Sequence, residues 1–294
     1  MSVVHRLLAA AVLITVPAVA IAQDGGTSSP RTTASVPKKA GHAPVNGLRM
    51  YYEIIGEGPP TVFVHPIVSH CGLMPAMGED RQRIAMDLQG HGRTPDIDRP
   101  LTCEQHADDI AALLRHLGVP RADFFGDSFG GAIAMTVAVR HPEIVKRVAV
   151  YGSPLTPLPK EIEMTFGPES DLVKWEREEY QKVSSTPDRW PLLFKKALRS
   201  GIDWKGLTSD QLRAIQIPVL IACGDHDLIP VERCLELSRQ IPNSQLAVLP
   251  DASHFVLFSE TERLRPVVSR FFDASASRPS LSTFQTGYYP GRTR

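Results

Sequence analysis

The chain has 294 residues, and its 32 Lys and Arg balance 32 Asp and Glu, so the formal net charge is zero. That balance argues against the basic surface of a nucleic-acid binder and against a polyanionic partner. Cys71, Cys103, Cys223 and Cys234 are too few for a disulfide scaffold and lack metal-ligand spacing; with no ligand cluster elsewhere and no glycine-rich nucleotide loop after the first strand, neither metal nor organic cofactor is expected.

Residues 1–22 read as an export signal. His5 and Arg6 form a short basic start, Leu7 to Ala22 is apolar, and Ala20-Ile21-Ala22 is an A-x-A cleavage site. The run falls short of the ~20 residues a spanning helix needs, and Pro17 interrupts it. The expectation is a mature chain from Gln23, exported to a periplasmic or extracellular space, with no stable membrane span. An oxidising compartment would permit a Cys71–Cys103 bridge, whereas Cys223 lies in an apolar run and reads as a buried thiol. Residues 23–45, rich in Gly, Ser, Thr, Pro and Lys, read as a flexible leader.

From Gly47 the chain becomes regular. Strands are expected over Leu48 to Ile55, Thr61 to His65, Ile84 to Asp87 and Val145 to Tyr151. Thr102 with Gln105 predicts a capping box, and Ile110, Leu113, Leu114 and Leu117 continue at helical spacing. Strand and helix alternate through residues 46–153 and again through 214–274, the pattern of a mostly parallel sheet flanked by helices. Between them, 154–213 holds charged helical stretches and no convincing strand, and reads as a small helical cap. Trp175, Trp190, Leu192, Leu193, Phe194 and Met164 are its candidate pocket-lining residues. Residues 275–294 read as a loose tail.

The chemistry centres on Gly126-Asp127-Ser128-Phe129-Gly130, a G-x-S-x-G between an apolar strand and an Ala-rich helix. That context makes it a nucleophile elbow: a sharp turn lifts the Ser clear of the sheet, and the helix N-terminus faces the oxygen that would gain charge. A Ser hydroxyl needs a base and a group to orient that base. An acid follows the strand beginning at Pro218, in Gly224-Asp225-His226-Asp227. A His follows the strand at 246–249, in Ser253-His254-Phe255. The order Ser, Asp, His suits a triad at one sheet edge.

With Val64-His65 and Asp87-Leu88-Gln89-Gly90-His91-Gly92-Arg93-Thr94, these motifs resemble the α/β-hydrolase superfamily over about Gly47 to Ala274. The resemblance implies an α/β-hydrolase fold, Ser128 as nucleophile, His254 as base and Asp227 as orienting acid, with Asp225 as runner-up. His65 would organise its loop, while His226 and His91 would be structural or surface residues. The oxyanion hole would use the backbone N–H of Phe129 and of Ile67. The family usually has His-Gly before the second donor, whereas this chain has His65-Pro66-Ile67, and Pro fixes φ. A Ser nucleophile implies acyl transfer on a small ester, thioester or lactone, in the manner of a carboxylesterase. Two rivals use the same residues: a cofactor-free haloperoxidase or perhydrolase, and an exported ligand-binding protein with a vestigial triad.

Overall fold

The computed structural model describes residues 38–74, 80–156 and 167–273. The export signal, Met164 and the tail at 275–294 lie outside them. Eight strands form one sheet: β1 (Lys38–Val45), β2 (Leu48–Ile55), β3 (Pro60–Val64), β4 (Gln82–Met86), β5 (Ala122–Asp127), β6 (Val145–Tyr151), β7 (Val219–His226) and β8 (Ser244–Ser253). Their spatial order is β1-β2-β4-β3-β5-β6-β7-β8. The β1/β2 and β2/β4 pairs are antiparallel. The remaining five pairs are parallel.

The helices are α1 (Cys103–Leu117), α2 (Phe129–Arg140), α3 (Asp171–Val183), α4 (Trp190–Asp203), α5 (Ser209–Ala214), α6 (Val231–Gln240), α7 (Val256–Ser259) and α8 (Thr261–Phe272). Buried strands carry apolar side chains on both faces. Val62, Val64 and Phe124 pack with Ile110 of α1 and Ile133 of α2 on one side. Phe63 and Phe125 pack with Leu264 and Phe272 of α8 on the other. Helices cover both faces, and the strand ends are left to carry loops. Among the described residues no helix is long and apolar enough to cross a membrane.

The flexible leader expected over 23–45 is corrected at its end: Lys38–Val45 is a strand. Val45 pairs with Leu48 across Asn46-Gly47. Both turn residues have positive φ, 46° and 84°, the two-residue hairpin turn that Asn-Gly favours. Pro44 is tolerated because β1 is an edge strand, and Ala43 and Val45 alternate into the core. The capping box is also corrected. Thr102 accepts the Gln105 N–H at 3.1 Å, but the Gln105 amide turns to Asp109 instead of closing the box. The reciprocal pair is found at Thr208 and Gln211, opening α5.

All four cysteines are buried free thiols. Cys71 and Cys103 belong to core clusters on opposite faces of the sheet, which separates the two sulfurs of the conceivable bridge. In the cap, Val173 and Tyr180 of α3 pack on Trp190, Leu193 and Ala197 of α4, together with Val68 and Leu101 from the core. Lys196 on α4 grips the Asp96 carboxylate at 2.7 Å, fastening the cap to the loop after β4.

Candidate active site

Ser128 sits between the last residue of β5 and the first of α2 with φ 51° and ψ −126°, a conformation that costs a non-glycine residue of order 1–3 kcal/mol. The surroundings hold it there. Its N–H donates to the Tyr151 carbonyl at 2.9 Å, and its own carbonyl accepts the Gly131 N–H at 2.9 Å. The turn is so tight that a Cβ on Gly126 would lie 2.5 Å from the Gly130 carbonyl oxygen, so only glycine lets strand and helix pass.

His254 follows β8, whose end is tied down where the Tyr151 hydroxyl donates to the Ser253 carbonyl at 2.6 Å. Its Nδ1 lies 2.7 Å from Asp227 Oδ1 and its Nε2 3.0 Å from Ser128 Oγ. A carboxylate only accepts, so Nδ1 carries the proton; the neutral ring then offers its Nε2 lone pair to the Ser128 hydroxyl, which donates. Asp227 Oδ1 also accepts the Ile229 N–H at 2.9 Å, which fixes the carboxylate. Burial works to lower the His254 pKa, but the hydrogen bond and charge of Asp227 outweigh it and hold the imidazole above its ordinary value. The runner-up acid is occupied elsewhere. Asp225 Oδ1 accepts the Ala252 N–H at 3.1 Å, pinning the β8 end, and His226 is exposed.

Gly152, just past β6, belongs to this arrangement, and sequence reasoning missed it. Its φ is +53°, and a Cβ there would meet His254 Nδ1 at 2.8 Å and Asp227 Oδ2 at 3.0 Å. The one available signal is a glycine at the C-terminal end of a parallel strand, where such sheets carry their sites.

The loop after β3 is shaped by buried polar groups. Asp87 accepts N–H bonds from Cys71 at 2.8 Å and Arg93 at 2.7 Å. His65 takes the Leu88 N–H at Nε2 (3.1 Å) and donates from Nδ1 to the Pro66 carbonyl (2.7 Å). His91 takes the Val68 N–H at Nε2 (3.2 Å) and donates from Nδ1 to Gln89 (2.8 Å). Burial keeps both rings neutral, lowering His65 to about 4 and His91 to about 3. His91 is therefore a structural residue rather than a surface one. Val68, a β-branched residue, is held at φ 56°. Its N–H is spent on His91, while Ile67 and Phe129 both border the space at Ser128. Phe129 opens α2, and the first N–H groups of a helix have no intrahelical acceptor.

Ser128, His254 and Ile67 lie between two compartments. One is apolar, walled by Phe129, Phe194, Leu198, Leu228 and Ile229. The other holds Trp175, Phe255 and Phe258 together with two carboxyl groups, Asp127 and Glu176. Of the cap residues expected to line a pocket, Trp175 and Phe194 do so. Trp190 and Leu193 are the cap's own core, and Leu192 is exposed away from Ser128. Glu176 was not anticipated. Val173, Glu176 and Tyr180 share the buried face of α3, so a carboxyl group on an otherwise apolar stripe was the available signal. Burial raises Glu176 to about 8. Asp127 is raised to about 7, chiefly by burial, with His254 lowering and Asp227 raising it.

A family model described as the alpha/beta hydrolase family matches residues 61–267. The chain is 26% identical over 247 residues to the 2-hydroxymuconate semialdehyde hydrolase of Pseudomonas putida, covering 74% of this chain and 88% of that protein. Among solved structures it is similar to the 2-hydroxy-6-oxo-6-phenylhexa-2,4-dienoate hydrolase of Rhodococcus sp. strain RHA1 (TM-score 0.67, 20% identity, 82% of this chain and 100% of that one). It is also similar to the enol-lactonase of Burkholderia xenovorans LB400 (TM-score 0.63, 22% identity, 78% of this chain and 98% of that one).

Proposed function

The chain belongs to the α/β-hydrolase family, and from that premise we propose that it is a serine hydrolase cleaving a small carboxylic ester, thioester or lactone. The observation that carries this reading is the line of contacts from Ser128 Oγ through His254 to Asp227, 3.0 Å and 2.7 Å long. In the proposed reaction Ser128 Oγ attacks the substrate carbonyl while His254 Nε2 takes its proton. Charge on the carbonyl oxygen is met by the N–H groups of Phe129 and Ile67. The tetrahedral intermediate collapses, the C–O bond to the leaving group breaks, and His254 protonates the departing alkoxide. Water then attacks the acyl-enzyme with His254 again as base, releasing the acid and regenerating Ser128. Asp227 keeps the imidazole in the tautomer this needs.

Export is part of the proposal. A mature N-terminus at Gln23, read by mass spectrometry of the secreted chain, supports it; an intact Met1 overturns it.

The test is a panel of p-nitrophenyl esters of increasing acyl length plus lactones, with a fluorophosphonate probe for Ser128. Hydrolysis and labelling that both vanish in Ser128→Ala are the expected result. Turnover that survives the substitution would reject the mechanism. A second reading, hydrolytic C–C cleavage, is favoured by the activity named for the Pseudomonas relative. A vinylogous 1,5-dioxo acid cleaved with kcat/KM above that of every ester in the panel would select it.

A further inference from the structure

Among the described residues, buried carboxyl groups are, with two exceptions, satisfied. Asp87 accepts two backbone N–H groups. Asp123 lies against the guanidinium groups of Arg81 and Arg147. Asp109 is held by Asn46 and Arg99. Two carboxyl groups depart from this rule. Glu176 is nine-tenths buried, and its Oε2 has no hydrogen-bond partner; Asp127 is 2% exposed, and its Oδ1 has none. They come from distant parts of the chain, one on a cap helix and one in the elbow, yet both face the same space beside Ser128 and His254. No Lys or Arg is among the described residues around that space. Its other walls are Pro66, Ile67, Leu172 and an aromatic cluster: Trp175 and Phe258 meet edge to face with ring centroids 6.4 Å apart, and Phe255 adjoins them.

An unpartnered buried acid costs stability, because it has given up water without gaining a donor. Aromatic faces beside it attract a cation through their quadrupoles, and a ligand ammonium is the group that both features recognise. The compartment on the far side of Ser128 is apolar and suits an uncharged chain. We propose that the space between Glu176, Asp127 and the aromatic cluster is a cation subsite, and that the substrate is an ester-type compound with an ammonium group on one side of its carbonyl and an apolar group on the other. This deepens the reading of Ser128 as nucleophile and rests on it. A cation entering this space favours ionisation of the two carboxyl groups, whereas an anionic substrate would meet two carboxyl groups and no cationic side chain.

2-(Dimethylamino)ethyl acetate, whose protonated amine carries one N–H at neutral pH, and its uncharged carbon isostere, 3-methylbutyl acetate, have nearly the same shape and differ in charge. Binding is measured by calorimetry on the Ser128→Ala chain, where neither ester can be consumed, and turnover on the unmodified chain. The ammonium ester is expected to bind about tenfold or more tighter than the isostere, the scale of a hydrogen bond or contact to a charged group. Adding Glu176→Gln should collapse that ratio towards one, and Trp175→Leu should lower it by a smaller factor. Equal binding of the two esters, or a preference that survives Glu176→Gln, overturns the proposal. The two readings fail separately: a chain that binds the ammonium ester selectively but hydrolyses neither ester loses the Ser128 mechanism and keeps the cation subsite. A chain that hydrolyses both with equal kcat/KM and binds them equally keeps the mechanism and loses the subsite.

Discussion

Asp87, in the loop after β4, and Glu176, on the cap helix α3, are both withdrawn from water. Asp87 is wholly enclosed and receives N–H groups from Cys71 and Arg93, so its charge is compensated by the backbone it organises. Glu176 is nearly as enclosed, and one of its oxygens has no partner. A buried group that the protein itself satisfies belongs to the scaffold. On the reading proposed above, one that the protein leaves unsatisfied beside Ser128 is open to a ligand. Asp227 stands between these extremes: it is held by the Ile229 N–H and spends the same oxygen on His254.

The sharpest way to separate the three is to replace each carboxyl group by its amide. Asp227→Asn is expected to lower kcat by about 10⁴, because the amide favours the wrong imidazole tautomer. Asp225→Asn should cost less than about tenfold, the scale of a lost backbone contact. Steady-state kinetics on both variants checks this, and the reverse ranking would move the orienting role to Asp225.

Asp87→Asn should act on stability instead. Part of the N–H-accepting capacity is replaced by a donor, at a cost of about 2–4 kcal/mol read by urea unfolding. A neutral result would remove Asp87 as the example of a compensated charge.

The pH profile supplies a smaller effect. His254 must be neutral to act as base, and its pKa is raised, so kcat/KM should climb with pH through a midpoint above the ordinary ~6.5. A midpoint below that value would mean that burial, not Asp227, dominates at the ring.

The smallest effect concerns Glu176. Its folded carboxyl holds its proton to about 8. The unfolded carboxyl releases its proton near ~4.3. The folded form is therefore favoured at low pH, and the advantage is lost as pH rises between those values. Glu176→Gln removes that loss. Its Tm relative to the unmodified chain should rise from about pH 5 to about pH 9. A Tm difference independent of pH would place the carboxyl in water.

The comparison also marks how far the sequence could be read. Ser128 and its flanking glycines were legible because a nucleophile elbow is local: strand, sharp turn and helix lie within a dozen residues. The helix through Ile110, Leu113, Leu114 and Leu117 was legible from its apolar spacing, and it is present as Cys103–Leu117. Strand β1 was obscured by the polar, proline-bearing composition of the segment, although Asn46-Gly47 is a hairpin signal in its own right. Gly152 and Val68 were invisible because their backbone conformations answer to neighbours far along the chain. Gly152 makes room for a ring at 254, and Val68 gives its N–H to a ring at 91.

By itself, then, the sequence determined the alternation of strand and helix, the turn that exposes Ser128 and the chain order of Ser, Asp and His. Each is written in residues close together or in a period along one element. The resemblance already implied Asp227 as the partner of His254; tertiary structure alone decided that Asp225 pins the β8 end, and that Glu176 of α3 and Asp127 of β5 share one compartment. The physical reason is desolvation. Whether a carboxyl group is a structural anchor, an orienting partner or an open binding group depends on how much water it loses and which donors replace that water, and those donors are brought by segments that only folding puts side by side.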